Sequence, residues 1–303
     1  MLHWFHRLPN NTKGIIFLML ASLIFSIMAL LIKILGQRIH ITQILFVRQI
    51  GMILMISPAI LRNFPGSLRT TRPGLQAARI AFSLVAMLCS FTAIIYMPLA
   101  DATALFFAKS FFVTIFAVWF LSEVVGVYRW SAVFVGFAGV LIVLQPGTDN
   151  FSIFGVLSLI GAAGAGAVMI LLRILTRTDS PETIMTYGSL GVGAVMLIPG
   201  IYFWQELNRT EYALIALVTV VSFYGQKLNI HAYKNGEASM LASLDYLRLI
   251  WATFFGFLFF NQLPGIWTWV GAAIVIASAI FMIYREAIRK QQLASSTHQS
   301  EVH

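Results

Sequence analysis

Asp245 and Arg248 stand three residues apart in the stretch Ser243–Trp251, among Leu, Tyr, Ile and Trp. At helical spacing the two side chains lie about 60° apart and share a face. Ala252 and Gly256 continue that face, and small residues four apart let helices approach closely in lipid. The charges therefore point toward other helices. Two readings stay open: the pair neutralises itself and locks the bundle, or it lines a wet cavity, the usual place of ionisable groups in a membrane. Lys109 has Phe106, Phe112, Val113 and Phe116 on or near its face. A cation ringed by aromatics suits a planar or carboxylate-bearing ligand; the plainer alternative is an ion pair with Asp245. Tyr96 and Tyr246 can offer hydroxyl and ring contacts, although an aromatic in a span also packs or sits at the interface. Lys227 and His231, with Tyr224, Gln226 and Asn229, make a polar cluster. There Lys227 either snorkels to the membrane surface or lines a vestibule.

The chemistry of an enzyme is missing. The chain holds no His-Glu-x-x-His pattern, no Gly-x-Ser-x-Gly elbow and no acidic metal motif, and its six histidines are scattered. Cys89 has no partner cysteine, so no internal disulfide can form and no zinc cluster is expected. Neither a metal nor a cofactor is expected, and the chain is not expected to be an enzyme. What remains is a pocket for a small molecule, with Asp245 able to carry a coupling proton.

The elements that must position these groups follow from composition. Of the 303 residues 59% are hydrophobic and only 10% charged, against about 25% charged in a soluble domain. Lipid is therefore the solvent for most of the surface. A spanning helix needs about 20 apolar residues. Such runs fall at 14–35, 42–61, 76–97, 101–121, 130–145, 153–173, 183–204, 212–232, 238–260 and 265–284. Turn residues break them at Phe64–Ser67, Gln145–Asn150, Asp179–Glu182 and Leu263–Gly265. The fold class is an all-α integral membrane protein of ten transmembrane helices. Residues 1–147 and 148–285 form two five-helix units, and 286–303 a disordered tail.

The net charge of +9 does not mark a nucleic-acid site, because Lys and Arg recur in short clusters between apolar runs. With the N-terminus cytoplasmic, that side receives Arg7, Lys13, Arg62, Arg69, Arg72, Arg79, Arg129, Arg173, Arg177, Lys234, Arg285, Arg289 and Lys290. The other side receives Lys33, Arg38 and Arg209. Thirteen against three predicts both termini in the cytoplasm.

An internal repeat supports the division. Aligning Asp101 with Glu237 also aligns Ala102 with Ala238, Thr103 with Ser239 and Leu105 with Leu241, and sets Lys109 opposite Asp245. Five spans per half is an odd number, so the halves are inverted. Inverted repeats are a construction of secondary transporters, with the binding site near the midplane. In the sixth span Gly161, Gly164 and Gly166 lie among alanines; the readings are tight packing or a helix that slides.

"FVR" at Phe46–Arg48, "PLADATAL" at Pro98–Leu105, "FLSE" at Phe120–Glu123, the run Arg129–Pro146 and its counterpart Phe259–Ile280 together resemble the drug/metabolite transporter superfamily, in its ten-span EamA-type members. Across Gly14–Tyr284 their order and spacing carry the likeness. The "DYLRL" segment is similar to the ninth span of the subgroup that contains S-adenosylmethionine uptake carriers. Where the family usually carries a Glu, this chain has Asn261 or Gln262. Lys109, Arg48, Arg248 and the one acid, Asp245, suit a small organic metabolite, zwitterionic or anionic, that is amino-acid-like or has a nucleoside or other heterocyclic part. The resemblance implies a carrier of the bacterial inner membrane that works by alternating access and does not fix the substrate. An exporter of amino acids or other compounds with proton coupling is the alternative it leaves. It also makes Arg48 a pocket or gate residue, where position alone, about two turns from the outer end of the second span, leaves the alternative of a side chain that snorkels to the interface. The expected substrate-binding or gating set is Lys109, Asp245, Arg248, Arg48, Tyr96, Tyr246 and Phe112, and the partners are the small-molecule substrate and the bilayer.

Overall fold

The computed structural model describes residues 10–62, 64, 69–122, 125–235 and 244–300. All regular structure among them is helical: α1 (Asn10–Leu35), α2 (Ile41–Arg62), α3 (Pro73–Tyr96), α4 (Leu99–Phe106), α5 (Lys109–Leu121), α6 (Val127–Leu144), α7 (Ile153–Leu175), α8 (Pro181–Tyr202), α9 (Arg209–Asn235), α10 (Leu247–Phe260) and α11 (Ile266–Ser300). Nine candidate spans among the described residues are long and apolar enough to cross a bilayer, one of them combining α4 and α5, while α10 is shorter.

Most boundaries fall within a few residues of the hydropathy runs, since backbone groups in lipid must be paired within a helix. Three differences carry information. The fourth run does not form one regular helix: it tightens at Phe107–Ala108, between α4 and α5. The ninth run tightens at Asp245–Tyr246, just before α10; its earlier part, with Glu237, Ala238, Ser239 and Leu241 of the repeat alignment, lies outside the described residues. At the C-terminus α11 runs on to Ser300, where the sequence reading expects a tail without regular structure. The segment holds Ala, Arg, Lys, Gln and Leu, all good helix formers that continue a helix already nucleated in the span.

The repeat is written into the backbone. Residues 36–40 after α1 and 176–180 after α7 pass through the same succession of three turn residues, a bend and one residue without regular structure before the next helix begins. Ser122 closes α5 at φ 52° and ψ 31°, and Asn261 closes α10 at φ 51° and ψ 33°. Both are left-handed caps that release the chain sharply; Asn tolerates that conformation better than Ser.

Packing runs between the halves. α1 lies along α9, α3 along α7, α6 along α11 and α2 along α8. α5 packs on α7 as α10 packs on α1. Exchanging the first five spans with the last five maps these pairs onto one another. Glycines permit the closest approaches. A Cβ at Gly164 would lie 3.0 Å from the backbone of Ala86 and Phe82, and one at Gly166 would lie 3.2 Å from the Val113 nitrogen. The glycines of α7 are therefore contact points against α3 and α5, which favours the tight-packing reading.

Candidate functional site

The tightened turns bring Lys109, Asp245 and Arg248 together. Lys109 is the first residue of α5; Asp245 lies in the turn before α10, and Arg248 in the first turn of α10. At both places the hydrogen bonds shorten to 3₁₀ spacing. Ser110 N–H donates to Phe107 O and Phe111 N–H to Ala108 O; Arg248 N–H donates to Asp245 O and Leu249 N–H to Tyr246 O. A mid-span turn of this kind commonly marks a functional bend, and in membranes irregular backbone occurs where it faces protein or a wet cavity.

Lys109 Nζ lies 3.7 Å from Asp245 Oδ2, and Arg248 Nε lies 2.8 Å from Asp245 Oδ1. Asp245 is thus the hub of two cations. The second contact is close but off the hydrogen-bond direction, so Nε and Oδ1 are both buried without a hydrogen-bond partner among the described residues. The three side chains keep between 18% and 23% of their surface exposed, which means the centre borders open space rather than solid packing. Rings surround it. Lys109 Nζ sits 5.5 Å over Phe106, the Arg248 guanidinium 4.5 Å over Phe25 on α1, and Tyr246 meets Phe107 edge-on at 4.8 Å. Phe112 stands one turn along α5 from Lys109, edge-on to Phe137 at 5.4 Å.

The other expected residues lie elsewhere. Arg48 is buried on α2 and donates to Ser222 Oγ at 3.0 Å and Gln49 Oε1 at 3.3 Å. Tyr96 is 63% exposed at the end of α3 and stacks on Phe154 at 4.6 Å. Lys227 is exposed, which fits both snorkelling and a place in a vestibule.

Two charged groups were placed differently by the sequence reading. Lys33 counted there among the charges of the outer side, yet it is 2% exposed within α1. Its ammonium donates to the carbonyls of Ile94 at 3.0 Å and Met97 at 2.6 Å, and lies 5.1 Å over the Phe260 ring. It thereby caps the negative end of α3, which a cation stabilises. Asp101 in the first turn of α4 accepts from Thr268 Oγ1 at 2.9 Å. Arg79, counted with the charges of the cytoplasmic side although the run 76–97 includes it, is buried in α3 and donates to Ile184 O at 2.5 Å.

Each end of the bundle carries a polar latch between the halves. At one end Arg38 pairs with Glu211, and Gln43 and Gln205 exchange two bonds: Gln43 Nε2 donates to Gln205 O at 2.8 Å, and Gln205 N–H to Gln43 Oε1 at 3.0 Å. At the other, Asp179 accepts from Thr70 Oγ1 at 2.5 Å and Gln76 Nε2 at 2.8 Å. The loops involved, 36–40 and 176–180, are the ones that share a backbone path. When each run crosses the bilayer, they fall on opposite faces, with the mixed-charge centre between them.

The EamA-like transporter family matches this chain twice, over residues 12–145 and 153–284. The chain is 25% identical to the S-adenosylmethionine uptake transporter of Rickettsia prowazekii, over 97% of this chain and 99% of that one. It is 28% identical to the riboflavin transporter of Rhizobium johnstonii, over 78% and 79% of the two chains. It is 26% identical to the pseudopaline exporter of Pseudomonas aeruginosa, over 88% and 95%. A solved crystal structure shares the fold with a TM-score of 0.62 at 16% identity, covering 90% of this chain and 98% of that one. With both halves matched, the chain belongs to the EamA-like transporter family, within the drug/metabolite transporter superfamily.

Proposed function

We propose that this protein is a secondary carrier that moves a small organic metabolite across the bacterial inner membrane by alternating access, with both termini in the cytoplasm. The observation that supports this reading most is the centre formed by Lys109, Asp245 and Arg248, where Arg248 Nε and Asp245 Oδ1, paired as ions, are buried without a hydrogen-bond partner among the described residues. Such groups are costly unless something completes them. Two cations, one carboxylate and the rings of Phe25, Phe106 and Tyr246 suit a zwitterion or an anion with a planar part. The relatives named for S-adenosylmethionine and riboflavin agree with a planar heterocycle in the cargo. In the alternating-access reading, one latch opens while the other holds.

Export coupled to protons is the second reading. The relative named as an exporter favours it, and Asp245 is the carboxylate placed to take the proton. Flux of labelled metabolites in proteoliposomes tests both. Saturable uptake with counterflow is expected, and a pH gradient of the correct sign accelerates it only in the proton-coupled case. Lys109→Met and Asp245→Asn are each expected to stop transport with membrane insertion intact. Full flux in both variants defeats the assignment of this centre.

A further inference from the structure

Arg48 is the buried cation that the mixed-charge centre leaves unexplained. It is 5% exposed, in a helix long and apolar enough to span the bilayer. A guanidinium has five N–H donors, and among the described residues two of them are engaged, with Ser222 Oγ and Gln49 Oε1. Ser222 already donates to Val218 O at 2.6 Å. Both partners are neutral, and among the described residues no carboxylate pairs with Arg48. A full charge held in a span by two neutral side chains is expensive, and such residues face a pathway or a ligand by default.

Its position ties it to the centre. Ser222 Oγ lies 3.1 Å from Met28 Sδ, and Phe25 lies under the Arg248 guanidinium. Phe25 and Met28 are three residues apart on α1, about 4.5 Å along the helix axis. The surroundings of Arg48 and the mixed-charge centre therefore meet α1 one turn apart. Lys109, Arg248 and Arg48 then stand against one carboxylate, Asp245, among the described residues of this region.

We propose that Arg48 forms an anion subsite adjoining the mixed-charge centre, and that the transported molecule carries a carboxylate or phosphate that reaches it. The planar fork of Arg suits bidentate contact with either group. The proposal rests on the carrier reading. It adds the requirement of an anionic group set off from the part of the cargo that Lys109, Asp245 and Arg248 hold.

Compounds matched except for one anionic group test it on the purified full chain. One pair is S-adenosylmethionine and its decarboxylated form; the other is riboflavin 5′-phosphate and riboflavin. Equilibrium binding is expected to favour the anion-bearing member of a pair by about 10- to 100-fold, the range of a hydrogen-bonded charge contact. Arg48→Gln is expected to close that gap by weakening the anion-bearing member alone, and Arg48→Lys to keep part of it. Equal binding of both members by the wild type, or an unchanged preference in Arg48→Gln, overturns the subsite. Counterflow with the same compounds separates the two levels. Absence of saturable flux sinks the carrier reading, whereas saturable flux without discrimination by charge sinks the subsite alone.

Discussion

Removing the Asp245 carboxylate strands two cations, Lys109 and Arg248, in the same interior. Breaking a fully buried pair costs about 3–5 kcal/mol; with roughly a fifth of each side chain still exposed, the cost here is nearer 1–3 kcal/mol. Asp245→Asn is therefore expected to lower the thermal midpoint in detergent more than Lys109→Met, which leaves Asp245 paired with Arg248. The double variant is expected to regain stability over Asp245→Asn while staying inactive. If all three variants melt together with the wild type, the centre carries no structural load. The sequence pointed to this trio because intramembrane charges are few and the repeat set Lys109 opposite Asp245. It did not point to Phe25, an unremarkable aromatic until α10 is packed on α1. Lys33 was misread for a related reason. A lysine near the end of an apolar run looks like an interfacial charge, and only the fold shows the end of α3 beneath it.

At the scale of elements, the latches are the parts that must open. Asp179 sits in the loop before α8, outside the spans. Burial by itself raises its pKa, but the hydrogen bonds from Thr70, Gln76, the Thr71 backbone and Thr178 outweigh that and hold it below the usual carboxylate value. A depressed folded-state pKa gives stability that is present above the unfolded value, about 3.9, and is lost as pH falls through the lower folded value. The wild type is thus expected to be more stable than Asp179→Asn near neutral pH. The two should converge as the pH falls below about 4. Thermal midpoints of both proteins across that range check this; a gap that stays constant with pH places the effect of the substitution elsewhere. These latches were barely legible beforehand. Residues 36–40 and 176–180 share no obvious sequence pattern, and their likeness lies in the backbone path. The tightened turns at Phe107–Ala108 and Asp245–Tyr246 were equally silent, because hydropathy averages over a turn and neither place carries Gly or Pro.

Over the whole molecule, the major helix contacts cross from one half to the other. α1 finds its long partner in α9, α3 in α7, α2 in α8 and α6 in α11. Within the first half α1 also meets α3, but that contact is minor. Each half alone would therefore leave its small-residue faces and its buried polar groups unmatched. Gly161 and Gly164 would lose α3, Arg48 would lose Ser222, and Arg79 would lose the Ile184 carbonyl. Lipid does not supply hydrogen bonds in place of those partners. The two family matches, 12–145 and 153–284, mark repeats of sequence; the packing makes them one folding unit. Expression of residues 1–147 by themselves is expected to yield protein that inserts but is rapidly degraded. Co-expression with 148–303 as a separate chain is expected to restore both accumulation and flux, because the connection at Gly147–Phe151 is an exposed turn with few packing duties. Co-purification of the two pieces, with counterflow in the reconstituted pair, measures this. A first half that accumulates stably and purifies alone would contradict the interlocked arrangement.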